Sequence, residues 1–196
     1  MENIILASSS PRRQEILKSM GIPFQVVLPN VDESAFQVKN ASELPEVLAK
    51  AKVQAVARSM PPKQVIPWIL GADTVVVMGG KVFGKPRDHQ EAFEFLSALQ
   101  DKSHHVITSL ALYNGRAHNM SVRSASTKVT FAPMSKEEIE WYIDTGDWHG
   151  AAGGYRIQGM ASCFISKIEG TNSCVVGLPI FELYDMLKEQ GYSIID

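Results

Sequence analysis

The 196-residue sequence predicts a mixed α/β fold: a mixed β-sheet with flanking helices, in two lobes around a cleft. Three observations predict it. Short apolar runs of strand character alternate with helical stripes through the first half, and two long alternating segments dominate the second half. No repeat, low-complexity tract or linker-like run interrupts the chain.

The elements follow in order. Ile4, Ile5 and Leu6 form a short buried strand, and Ser10 with Pro11 supplies a helix N-cap and first helical residue. The stripe Ile16, Leu17, Met20 ends at Gly21. FQVVLPNVDES adds a short strand and an acidic turn at Asp32 and Glu33. A helical pattern runs from about residue 42 to 59, with Leu44, Val47, Leu48, Ala51 and Ala55 on one face and Lys52 at its edge. WILGADTVVVM and KVF are strands on either side of a Gly79-Gly80 turn. Asp88 and Glu91 then open a helix bearing Ala92, Phe93, Phe95, Leu96 and Leu99. HHVITSLALYNG and the segment of Thr127, Val129 and Phe131 are two long strands turning at Asn114-Gly115. Ser135 and Glu138 start a helix that stops at Gly146. The glycine-rich HGAAGGY leads into an expected hairpin through CFISKIEGTNSCVVG, and Pro179 begins a closing helix.

Net charge is −2 and the isoelectric point is near 6.2, so any attraction for anions must come from a local cluster. No apolar stretch approaches the ~20 residues that span a bilayer, and the segment after Glu2 does not read as a signal peptide, so the cytoplasm is the expected location. Cys163 and Cys174 read as buried free thiols, with a disulfide as the minor alternative. The five histidines show no ligand spacing and are assigned structural roles; neither a GxxxxGK[ST] loop nor a GxGxxG fingerprint occurs.

Two places carry candidate chemistry. Arg12 and Arg13 fall in the first turn of a helix, where the dipole is positive and each guanidinium costs ~0.3–1 kcal/mol that an acid would have gained. A bound polyanion reverses that cost, because the serine-rich turn offers N–H and hydroxyl donors and the arginines add bidentate contacts. Solvated surface arginines are the alternative, and the convergence of serines, helix start and paired arginines favours the anion. The second place is Asp73, set among apolar neighbours, which must be paired, protonated or bound to a cation. A structural aspartate at a Gly71 turn is an equal alternative. Glu33 with Asp73 could hold a hard divalent ion shared with phosphate, and Lys52 and Lys85 could balance charge; taken singly, each also reads as a surface residue.

ASSSPRRQEIL, VDE, AKAK, GADTVV, GKPRD, YRIQG and VVGLP occur here in one order and spacing. Together they resemble the Maf proteins, nucleoside triphosphate pyrophosphatases, from about residue 4 to 190. The resemblance implies a single Maf/ITPase-like domain over residues 1–196 with a deep cleft, a homodimer, and dependence on Mg²⁺ or Mn²⁺. It implies cleavage between the α- and β-phosphates to the monophosphate and pyrophosphate. By this resemblance Asp73 accepts the proton of the attacking water, with Lys52 and Lys85 as further catalytic groups, Ser8 and Arg13 on phosphate, and Glu33 with Asp73 near the metal. Arg12, Thr74 and Gln158 match the branch acting on dTTP and UTP rather than the one acting on 7-methyl-GTP. The chain departs from the family pattern where Ala151 replaces a usual lysine and Arg156 adds a charge near Gln158. Two other roles stand beside this one: house-cleaning of non-canonical nucleotides, and nucleic-acid-binding regulation of cell division. The acidic net charge argues against the latter.

Overall fold

The computed structural model describes residues 1–61 and 68–195. Strand β1 (Ile4–Ala7) is apolar at every position because both of its faces are covered. It pairs in parallel with β2 (Phe24–Val26) and β3 (Trp68–Met78). From β3 the sheet continues antiparallel through β5 (Ser103–Asn114), β6 (Asn119–Phe131) and β7 (Ile165–Glu169), in the order β2-β1-β3-β5-β6-β7. The short β4 (Lys81–Phe83) returns along β3 through Gly79 and Gly80, both at positive φ.

The edges of β3 explain where a cleft can open. Strand β5 covers one edge from Trp68 to Val77. The other edge is divided: β1 pairs with Ile69 to Gly71, and β4 with Val76 to Met78. Residues 72–75 between them have no strand on that side among the described residues. Asp73 and Thr74 sit in this gap, beside the point where β1 ends and the Ser8–Ser10 loop begins. A crevice at the carboxyl end of a parallel strand is the usual ligand position in open α/β sheets.

Alternation along β1 and β3 sends side chains to two cores. Leu6 and Leu70 face helices α1 (Pro11–Ser19) and α6 (Ile180–Glu189), meeting Leu17, Leu183 and Leu187. Ile5 and Ile69 face α2 (Leu44–Ser59), meeting Ala49, Val53 and Val56. At the far end of the sheet, α3 (His89–Leu99) and α4 (Lys136–Asp144) cover Val76, Val106, Val129 and Phe131, forming the second lobe. Ser135 and Glu138 make the complete capping box expected for α4. In α3 only half of one forms: Asp88 accepts from Glu91 N, whereas the Glu91 carboxylate takes the N–H of Arg87.

Three sequence expectations are corrected. The buried stripe of α2 is Leu48, Ala49, Lys52, Val53 and Val56, whereas Leu44, Val47, Ala51 and Ala55 are only partly buried. Lys52 thus lies within the buried face. Close approach at Gly71 sets this rotation, because a Cβ there would lie 2.6 Å from Val53 Cγ2 and 2.7 Å from the Ala49 carbonyl oxygen. Second, the expected late hairpin is the single strand β7 followed by the short helix α5 (Asn172–Val176). Thr171 caps α5 by accepting from Cys174 N, and Gly177 ends it at φ 112°; these signals outweigh the β-branched Val175 and Val176. Third, Cys163 is exposed in the turn Met160–Phe164, whereas Cys174 is buried; both thiols are free.

Candidate active site

A cavity of about 730 Å³ opens over the gap in β3. All nine side chains singled out from the sequence line it. The start of α1 forms one wall. Ser10 occupies the N-cap but makes no side-chain capping bond among the described residues, and no acid stands in the first turn. The helix end is therefore left to an anion.

Arg13 organises this wall. Its guanidinium is buried, donating from Nε to the Gly177 carbonyl at 2.8 Å, from Nη1 to Ser8 Oγ at 2.9 Å and from Nη2 to Thr74 Oγ1 at 3.2 Å. Thr74 Oγ1 lies 2.9 Å from Thr108 Oγ1, and the Thr108 hydroxyl donates to the Cys174 carbonyl. One side chain thus ties the end of β1, the centre of β3 and the end of α5 together. Burial pulls the Arg13 pKa down, and attraction to Asp73 opposes that.

The floor is an ion triad. Lys52 Nζ lies 2.5 Å from Asp73 Oδ1 and 2.8 Å from Glu33 Oε1. Lys52 and Asp73 are both buried, whereas the Glu33 side chain is 44% exposed. Burial pushes the Asp73 carboxyl above the usual aspartate range, and the attraction of Lys52 and Arg13 offsets this only in part. Desolvation also pushes Glu33 upward, but its hydrogen bond to Lys52 and the charges of Lys52, Lys85 and Arg13 outweigh that and hold it below the ordinary value. The structure therefore places a basic, desolvated carboxylate beside a fixed ammonium. Such a carboxylate is suited to accept a proton.

The rim comes from the loop after α4. Arg12 Nη2 donates to the Gly150 carbonyl at 3.0 Å, which latches this loop onto α1. Gln158 is exposed at the rim, and Lys85 extends from the segment after β4. Sequence reasoning missed Asp147 and His149, which also line the cavity. His149 stacks on Trp148 at 3.8 Å, and its Nδ1 lies 2.8 Å from the Gly146 carbonyl. Its only sequence signal was membership of the glycine-rich loop. The assignment of His104 as structural agrees with the fold: it is buried, with Nε2 2.7 Å from the Tyr155 hydroxyl.

Donor chemistry tests whether a divalent ion fits. The ion pairs of Asp73 and Glu33 run through Oδ1 and Oε1, leaving one oxygen of each for another cation. No group of three or more His, Cys, Asp or Glu side chains is placed to hold a metal among the described residues. Two carboxylates suit Mg²⁺ or Mn²⁺ shared with phosphate and water, not a closed all-protein cage. Five cationic and four acidic side chains line the cavity, too small an excess to balance a triphosphate alone. A divalent ion fits that deficit.

Fold and site together define a class: an α/β protein whose strand-end crevice sets a helix start bearing two arginines against a buried carboxylate. The chain belongs to the Maf family, since the family model described as "Maf-like protein" matches residues 3–190. A dTTP/UTP pyrophosphatase of Symbiobacterium thermophilum is 46% identical over 99% of this chain and 97% of its own length. A protein of the same name from Desulforamulus reducens is 45% identical over the whole of both chains. Among solved structures, the Staphylococcus aureus Ham1 protein overlaps 67% of this chain and 72% of its own at 14% identity, with a TM-score of 0.44.

Proposed function

We propose that this protein hydrolyses dTTP and UTP to the nucleoside monophosphates and pyrophosphate with the help of a divalent metal. The observation that carries the reading is the desolvated Asp73, fixed by Lys52 at the floor of a cavity whose wall is a helix start bearing Arg12 and Arg13. Asp73 takes the proton of the water that attacks the α-phosphorus, and Lys52 fixes that carboxylate through Oδ1. Lys85 and Arg12 bind the phosphate tail, while Arg13 fixes Ser8 and with it the loop that opens α1. Asp73 and Glu33 would hold the metal, which supplies charge neutralisation on the phosphate oxygens. Positioning and charge stabilisation carry most of the rate, as is usual when phosphorus is attacked.

Thr74 and Gln158 face the nucleoside end in this reading. An amide such as Gln158 both donates to and accepts from the edge of uracil or thymine. Because Gln158 stands at an open rim, modified pyrimidines also enter the proposal as substrates. The cations line a cavity instead of an outer stripe, so a duplex is not the proposed ligand. The proposal includes a homodimer, checked by light scattering, and action on the cytoplasmic nucleotide pool. No helix among the described residues is long and apolar enough to cross a membrane.

A panel of nucleoside triphosphates with Mg²⁺ or Mn²⁺ tests the reading. The expected result is release of pyrophosphate and monophosphate, with the highest kcat/KM for dTTP, UTP or their modified forms. Release of orthophosphate, or preference for a purine, would overturn it.

A further inference from the structure

We propose that Arg156 forms, with Arg12, a two-guanidinium clamp on the terminal phosphates of the substrate. The inference rests on the triphosphate reading above but is tested without turnover. Arg156 projects from the loop after α4 into the same cavity as Arg12. The two side chains dock on consecutive peptide units: Arg156 Nη2 donates to the His149 carbonyl at 2.7 Å and Arg12 Nη2 to the Gly150 carbonyl at 3.0 Å. Two like charges are thereby held near one another by neutral acceptors. Burial and the nearby charge of Arg156 together lower the Arg12 pKa.

The local acids offset this crowding only in part: Glu15 attracts Arg12, and Asp147 forms a long ion pair with Arg156. Asp147 Oδ1 stands 3.7 Å from Arg156 Nη1, beyond hydrogen-bond reach, and its Oδ2 is engaged by the N–H of Met160. Arg156 Nε is buried yet has no hydrogen-bond partner among the described residues. A guanidinium carries five N–H groups, so both arginines keep donors in reserve. Paired guanidiniums with N–H groups to spare match phosphate oxygens, which accept from both and neutralise both charges at once. A pyrimidine ring is neutral and would leave the repulsion in place, so the phosphate end is assigned. The peptide N–H of Arg156 donates to the Tyr142 hydroxyl at 3.2 Å, which anchors the base of this side chain on α4.

Inorganic tripolyphosphate with Mg²⁺ is the probe, titrated calorimetrically into the wild type, Arg156→Gln and Arg156→Lys. Arg156→Gln is expected to weaken tripolyphosphate about tenfold or more, the scale of one lost charge-assisted contact, with UMP affinity unchanged. The salt dependence of tripolyphosphate binding should become shallower in the same variant. Arg156→Lys keeps the charge without the fork and should fall between the two; it serves as the test if the glutamine variant does not fold. Unchanged tripolyphosphate affinity in a folded variant would overturn the clamp, as would an equal loss for UMP, which would move Arg156 to the nucleoside end. A wild type that binds tripolyphosphate through Arg156 yet hydrolyses neither UTP nor dTTP would leave the clamp standing and remove the proposed activity.

Discussion

Gly71→Ala probes the coupling between packing and the site. The new methyl would meet Val53 Cγ2 at 2.6 Å and the Ala49 carbonyl oxygen at 2.7 Å, against an ordinary contact of 3.4–4 Å. Val53 can change rotamer, but the Ala49 oxygen belongs to the backbone of α2, so the helix must retreat by roughly 0.7 Å. Lys52 rides on that helix and would withdraw from Asp73. Overpacking of this kind costs about 1–3 kcal/mol, and a displacement approaching 1 Å at a positioned group costs up to ~100-fold in rate. Urea unfolding and UTP turnover measured on the same preparation should therefore show both losses. Adding Val53→Ala should recover only part of each, because the carbonyl contact remains. Wild-type stability and turnover in Gly71→Ala would refute the idea that this contact sets the position of Lys52.

Other expectations follow from the same geometry. Lys52→Met leaves the buried Asp73 without its ammonium and should lower stability by about 3–5 kcal/mol in urea unfolding at pH 7, with most of that regained in the Lys52→Met/Asp73→Asn double variant. Arg13→Lys cannot reproduce three divergent bonds to Ser8, Thr74 and Gly177, and should cost about 2–4 kcal/mol by the same assay. Burial lowers the His104 pKa from 6.5 to about 4, so its neutral form is favoured in the fold. The corresponding stability is complete above pH 6.5 and is lost as pH falls toward 4, by about 3 kcal/mol over that window. Urea midpoints measured against pH should show this slope in the wild type and not in His104→Phe.

Much of the fold was legible because local signals agreed with the tertiary outcome. Pro11 and Gly21 bracket α1, Gly79-Gly80 turns β3 into β4, and Ser135 with Glu138 caps α4. The late hairpin failed for a physical reason: CVVG has strand composition, but Thr171 and Gly177 impose a capped helical turn, and Thr127 secures it by accepting from Thr171 N and donating to its carbonyl. The face of α2 was misjudged because periodicity weighs Leu44 and Val47 by hydrophobicity, whereas contact is set by the absence of a side chain at Gly71. At the site, unusual residues in hostile surroundings were the readable part: arginines at a helix start and an aspartate in an apolar strand. Motif resemblance then linked them to the remaining site residues. The division of labour between Arg12 and Arg13 could not be read, since it depends on the Gly177 carbonyl, 164 positions from Arg13. His149 and Asp147 carry no spacing signal and enter the cavity only through the path of their loop.

The most direct measurement is single-turnover hydrolysis of UTP by Asp73→Asn with saturating Mg²⁺, alongside calorimetric binding of UTP. Loss of the proton acceptor should slow the chemical step by about 10²–10⁴-fold while UTP affinity stays within about tenfold of the wild type. Turnover near the wild-type rate would contradict the account, because the buried carboxylate would then have no part in the chemistry.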